Sequence, residues 1–265
     1  MSYLELKNVS YSYPNGFEAI KNVDLSFERG ESVAIIGQNG AGKTTTVKLM
    51  NGLLKPTQGQ VYIDGKSTQN MTTAQVSKFV GYVFQNPDEQ IFQETIYKEI
   101  AYGLLYQKLA PDVVKERVLA AAKLCQLESV LEEHPYNLPY SKRKFVTIAS
   151  IIALDTEIII LDEPTAGQDR LSTGLLGEII QYLQSQNKTV ITITHDMEFV
   201  VQQFTRVIVF ADKMKRKDST PATVFQDKAL LNLASLKEPY ILQLAKMLGH
   251  EGVLTIEELL MKEFK

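Results

Sequence analysis

The residues Gly37-Gln38-Asn39-Gly40-Ala41-Gly42-Lys43-Thr44 fit the pattern Gly-x-x-x-x-Gly-Lys-Ser/Thr at every fixed position. Glycines let a loop wrap close to phosphate oxygens, and a helix starting at the loop's end points free amides at them. In such a cradle Lys43 bridges the β- and γ-phosphates of a nucleotide, and Thr44 places its hydroxyl on Mg²⁺. Other polar groups elsewhere in the chain could serve the same chemistry. Asp162-Glu163 supplies adjacent carboxylates, the first suited to hold Mg²⁺ through its water shell and the second to orient or polarise an attacking water. His195 could hydrogen-bond a γ-phosphate, and the amide oxygen of Gln85 could ligate Mg²⁺ or water. Taken singly, acids at a strand end, a lone histidine and a glutamine in a turn are ordinary features. The cradle gives them a common target.

Short apolar runs precede each of these groups: Val33–Ile36, Val80–Phe84, Ile158–Leu161 and Val190–Ile193. The stretches between them are long enough to hold helices, which is the pattern of a parallel sheet covered by helices. In such sheets ligands bind outside the carboxyl ends of the strands, so all the polar groups can face one site. Thr44 to Met50 lacks Gly and Pro and suits a helix. Before the first run, Leu4, Leu6 and Val9, then Ala19, Ile20, Val23, Leu25 and Phe27, alternate with polar residues around the turn Pro14-Asn15-Gly16, as half-exposed antiparallel strands do. Between Gln85 and Ile158 the helical candidates are 95–107, 111–124 and 141–154, with Pro111 well placed at a helix start. Lys213-Met214-Lys215-Arg216-Lys217 reads as a solvated turn. Thr255-Ile256-Glu257-Glu258 fits a capping box within an extension starting near residue 220.

With 265 residues the chain can hold one large α/β domain plus a small appendage. Its 31 acidic residues outnumber 28 basic ones, which gives no support to a polyanion partner, and no nucleic acid is expected. The single cysteine, Cys125, excludes an internal disulfide and a cysteine-cluster metal site. Met1 to Lys7 does not read as a signal peptide, and the most apolar stretch, 145–161, is broken by Asp155 and Glu157. A membrane role would therefore come through a partner.

The order of these landmarks resembles the ATP-binding subunits of ABC transporters over nearly the whole chain. The Walker A motif would be Gly37 to Thr45, the Q-loop Gln85, Walker B Asp162 with Glu163 behind it, the D-loop Ala166-Gly167-Gln168-Asp169, and the switch histidine His195. The resemblance implies an α/β P-loop NTPase of ABC type. It would have a parallel central sheet, an antiparallel β subdomain, a helical subdomain at about 86–155 and a C-terminal helical extension at 220–265 after an ATPase domain at 1–219. It implies ATP and Mg²⁺ as ligands, and an adenine stacked on Tyr13, which sequence alone leaves as an ordinary strand aromatic. Residues Gly81 to Phe92, with Thr95 and Glu99 to Gly103, look like the ATPases of energy-coupling factor importers, which take up vitamins or metal ions in prokaryotes. That likeness implies a second ATPase, a transmembrane coupling protein and a substrate-binding membrane protein as partners, at the cytoplasmic face of the membrane. It also implies that the residues after Gln85 form a groove for the coupling protein's helices.

One landmark departs from the family pattern. Where ABC ATPases carry a signature close to Leu-Ser-Gly-Gly-Gln, this chain has Leu138-Pro139-Tyr140-Ser141-Lys142. Pro139 removes a hydroxyl and a backbone donor, and Tyr140 puts a ring where glycine lets the backbone approach. Ser141 could still cap the following helix, and Lys142 offers a positive charge. Gln168 and Arg170 are lesser departures around the D-loop. Each composite site of the family takes Walker A from one subunit and the signature from the other, so the expectation is a heterodimer with a non-identical partner. Two other functions stay open on sequence: a soluble ABC-type nucleotide switch, and a regulatory subunit that binds ATP but hardly hydrolyses it.

Overall fold

A computed structural model describes residues 2–250 and 252–263. Met1, at the head of the segment read for a leader, and Glu251, Phe264 and Lys265 of the expected extension lie outside the described residues. The strands are β1 (Leu4–Ser12), β2 (Glu18–Phe27), β3 (Ser32–Gly37), β4 (Gln58–Ile63), β5 (Lys66–Ser67), β6 (Val80–Val83), β7 (Ile158–Asp162), β8 (Thr189–Ile193), β9 (Arg206–Ala211) and β10 (Met214–Ser219). The helices are α1 (Lys43–Met50), α2 (Thr73–Val76), α3 (Ile96–Tyr106), α4 (Pro111–Leu124), α5 (Tyr140–Ala153), α6 (Arg170–Ser185), α7 (Met197–Gln203), α8 (Pro221–Gln226), α9 (Lys228–Leu233), α10 (Tyr240–Met247) and α11 (Ile256–Glu263).

The expected α/β architecture is present. Strands β6, β7, β8, β3 and β9 run parallel in that spatial order, and β10 closes the sheet antiparallel to β9. A separate antiparallel sheet has the order β2-β1-β4-β5. Side chains of the parallel strands divide by the period of two. Val33, Ile35, Ile158 and Ile160 pack toward the antiparallel sheet and α1. Ala34, Ile36, Ile159 and Leu161 pack toward α3 to α7, in an apolar cluster that also takes in Val224, Phe225, Ile241 and Leu242 of the C-terminal helices. Both faces are covered, which is why these strands read as continuous apolar runs rather than as alternation.

Local signals explain several boundaries. The Thr95 side chain accepts from the Lys98 amide at the start of α3, and Pro111 is the first residue of α4. Three sequence expectations need correction. The charge run is a turn only at Lys213 and from Met214 on is part of β10; the chain reverses at Asp212-Lys213, both at positive φ (49° and 65°) as a two-residue hairpin requires. Helix α5 begins at Tyr140, with Pro139 as its cap and no side-chain cap bond, so Ser141 lies inside the first turn and does not cap. The box at α11 is half formed: Thr255 Oγ1 accepts from the Glu258 amide, but Glu258 reaches back to the amide of Leu254 rather than of Thr255.

Candidate functional site

The carboxyl ends of β3, β7 and β8 open onto one cavity of about 640 Å³. Its walls include Tyr13, Asn39, Gly40, Gly42, Lys43, Thr44, Thr45, Gln85, Glu163 and His195, so the structure brings together most of the residues that sequence singled out. Gln38 touches the C-terminal segment instead, its Oε1 accepting from Ser235 Oγ at 3.1 Å. Ala41 is buried beneath the loop.

The cradle glycines have separate physical reasons. A Cβ on Gly37 would lie 2.1 Å from the Phe210 carbonyl oxygen of β9, and one on Gly42 would meet Ile20 at 2.5 Å and the Ala19 carbonyl at 2.8 Å. Both are dictated by packing within the protein. A Cβ on Gly40 (φ 79°) would meet nothing within 4 Å, and this is the glycine that leaves loop backbone open to the cavity. Lys43 is buried, its ammonium donating to the Gly37 carbonyl at 2.7 Å and the Gln38 carbonyl at 3.1 Å. Burial holds its pKa below the usual lysine range, against the pull of Glu163 and Asp162.

Lys43, His195 and Glu163 form one cluster. His195 Nε2 stands 3.1 Å from Glu163 Oε1 and 3.4 Å from Lys43 Nζ. A neutral ring can donate there to the carboxylate or accept there from the ammonium, and its tautomer selects which. Burial, and then Lys43, hold the His195 pKa below its ordinary value, so the ring is neutral at neutral pH. The His195 amide donates to Glu163 Oε2 at 3.2 Å. Burial pushes the Glu163 carboxyl up to about 7, with Lys43 opposing and Asp162 adding to the rise. That poises a group for proton exchange near neutral pH. Glu163 also sits at φ 49°, the left-handed region that a non-glycine residue occupies only when its surroundings enforce it. Its amide, donating to the Ile193 carbonyl at 2.9 Å, is part of that enforcement.

Asp162 does not line the cavity but stands one layer behind the wall, almost fully buried. Tyr82 Oη donates to its Oδ2 at 2.7 Å, while Oδ1 is buried with no partner among the described residues. A buried, unpaired carboxylate oxygen next in sequence to a cavity residue, with Thr44 and Gln85 in the same cavity wall, fits a hard divalent cation held partly through water.

The remaining expected residues lie elsewhere. Asp169 caps α6 through the Ser172 amide at 2.7 Å. Leu138, Pro139, Tyr140, Ser141 and Lys142 are absent from the cavity wall. Tyr140's ring lies 3.5 Å from where a Cβ on Gly167 would be, and Gln168 Nε2 donates to the Ser141 carbonyl at 3.3 Å, so the departing positions of signature and D-loop touch each other.

Sequence reasoning missed Phe17, Tyr82 and Lys144. Phe17 lines the cavity beside Tyr13, their rings stacked at 6.4 Å and 29°. Tyr13 also holds its hydroxyl 3.3 Å from Thr45 Oγ1. Lys144 is fully buried under the Gln85 loop. In the sequence it is the last of the run Lys142-Arg143-Lys144, and nothing there marks it as the one that is buried.

Residues 20–166 match the family model described as ABC transporter. A protein of Caldanaerobacter subterraneus described as an ABC transporter ATP-binding protein is 39% identical over 97% of this chain, which spans 45% of that longer relative. The energy-coupling factor transporter ATP-binding protein EcfA of Methanococcus maripaludis is 35% identical over 97% of this chain and 93% of its own length. The solved structure of cbiO1 from Clostridium perfringens, part of the ABC transporter complex cbiONQ, shares 30% identity and a TM-score of 0.79 over 92% of this chain and 99% of that one. A match of that extent, joined to a fold shared almost end to end with a known cassette, places the chain in the ABC transporter family as one of its ATPases.

Proposed function

We propose that this chain is the ATP-hydrolysing subunit of an energy-coupling factor type importer for a vitamin or metal ion, bound to the cytoplasmic face of a prokaryotic membrane. On this reading residues 1–219 are the ATPase domain and 220–265 an accessory extension. No helix among the described residues is long and apolar enough to cross a membrane, so transport requires partners that do. These are a transmembrane coupling protein and a substrate-binding membrane protein.

In the cavity, Tyr13 stacks on adenine and the loop from Gly37 to Thr45 holds the phosphates. Lys43 gives up its contacts with the loop carbonyls to pair with phosphate oxygens. Thr44, Gln85 and Asp162 hold Mg²⁺, which when bound neutralises charge on the phosphates and leaving group. Glu163 orients the attacking water and takes its proton, and His195 bonds the γ-phosphate while its amide keeps Glu163 in place.

The observation that carries the importer reading lies just beyond Gln85. The chain leaves the cavity wall at Gln85 and a few residues later exposes Phe92, 61% accessible, with its ring edge-on to Tyr102 at 4.7 Å. Tyr102, Leu105 and Tyr106 extend this apolar surface along α3. Such a patch fits the apolar face of an amphipathic helix. The experiment is Phe92→Asp. Expected are wild-type ATP binding by the purified chain and loss of uptake by the membrane-reconstituted complex. Undiminished uptake overturns the reading.

A non-identical ATPase partner is proposed from α5. Its first turn lacks a capping hydroxyl, Tyr140 is committed to Gly167, and Arg143 is drawn to Asp88 at 2.9 Å. The site built on this chain's cradle therefore takes an intact signature from its partner, while the partner's cradle receives the altered one.

A further inference from the structure

The strongest unassigned group in the molecule is an ammonium where ammonium ions are rarely found. Lys144, in the second turn of α5, is 0% exposed and is among the largest fully buried side chains of the protein. Lysine is almost never fully buried without partners, because taking its charge out of water is costly. Its Nζ donates to the Phe84 carbonyl at 3.3 Å and to the Gln85 carbonyl. Asp162 and Glu163 are near enough to favour its charge, while burial opposes it.

Its neighbours on α5 hold the same segment. Arg143 pairs with Asp88 at 2.9 Å. Gln90 accepts from the Phe84 amide at 3.2 Å and donates to the Thr147 carbonyl at 3.4 Å. From 84 to 90 the chain is thus tied to α5 at several points, and of these Lys144 alone grips the main chain of Gln85. An apolar residue of the same length would fill the space without holding the carbonyls.

We infer that Lys144 is a positioning residue for hydrolysis: its buried ammonium holds the main chain at Phe84 and Gln85 and so fixes where the Gln85 amide stands in the cavity. A displacement of α5 relative to β7 then becomes a displacement of Gln85 relative to Asp162. The inference rests on the proposed role of Gln85 toward Mg²⁺.

The test uses the full chain and the fluorescent nucleotide MANT-ATP, titrated first in EDTA and then with Mg²⁺ at fixed nucleotide. For Lys144→Met, affinity in EDTA is expected within about twofold of wild type, while the Mg²⁺ concentration for half-maximal effect rises about tenfold, the scale of one lost charged hydrogen bond. Lys144→Gln keeps a donor on a shorter arm, and its requirement should rise by only about threefold. Should Lys144→Met fail to fold, Lys144→Gln decides alone. An unshifted Mg²⁺ requirement overturns the inference, and so does a parallel fall of EDTA affinity and melting temperature, which marks a purely structural role. A wild-type chain that binds no MANT-ATP overturns the cavity reading itself, and this one with it.

Discussion

Glu99 shows how one buried residue shapes a surface without taking part in it. It lies in the first turn of α3, 4% exposed, and its Oε2 accepts from the amides of Phe92 at 3.0 Å and Gln93 at 2.9 Å. The carboxylate therefore sets the backbone that presents Phe92. Burial raises its pKa above the ordinary 4.5, and the amide bonds only partly offset this. Above 4.5 the unfolded chain ionises while the folded one still holds its proton, so this group's contribution to stability falls as pH rises through that window. Glu99→Gln keeps the acceptor and removes the titration. Its melting temperature is expected to exceed that of wild type at about pH 8, with the gap closing as pH falls through the carboxylate range. A gap that does not change with pH would show that the wild-type carboxylate is buried at no cost.

Strand pairing decides the fate of the cradle's first glycine. Gly37 faces Phe210 across the β3–β9 pairing, where an added methyl would press on a carbonyl oxygen at 2.1 Å, while Gly40 faces open space. Gly37→Ala should destabilise the fold by about 3 kcal/mol or more, and Gly40→Ala by about 1 kcal/mol, from its positive φ alone. Thermal melts together with MANT-ATP titration check this: Gly40→Ala should lose more in nucleotide affinity than in stability. The same contrast explains what could be read in advance. The parallel strands, α3 and α4 announced themselves through local features: apolar runs, the Thr95 cap and Pro111. The β9–β10 hairpin did not, because its turn is Asp212-Lys213 without a glycine, and β10, Met-Lys-Arg-Lys-Asp-Ser, has the composition of a loop. Of the site, the groups at strand ends were legible because their motif and spacing are local. Tyr82 on Asp162 and Lys144 on Gln85 join residues 80 and 59 positions apart, and nothing in either neighbourhood marks them.

At the scale of the whole molecule, soundness of the cradle and alteration of the signature predict an unequal pair. In the complex with its partner ATPase, Glu163→Gln should lower turnover by roughly 10²-fold, whereas the equivalent change in the partner should be nearly silent. Steady-state phosphate release from the two mutant complexes distinguishes them, and the reverse order would mean that the altered signature is the working one. On this proposal the unpaired chain must also be kept from the wrong mate. An open sheet invites the wrong one, since the unpaired backbone of an edge strand is a template for any extended segment. Here the outermost strand β10 carries Lys215, Arg216 and Lys217 along its length, and the opposite outermost strand, β6, is buried from end to end. Charged side chains on one rim and cover on the other oppose such edge pairing, so most of the stretch that reads as a mere solvated turn is an edge strand whose composition works against aggregation.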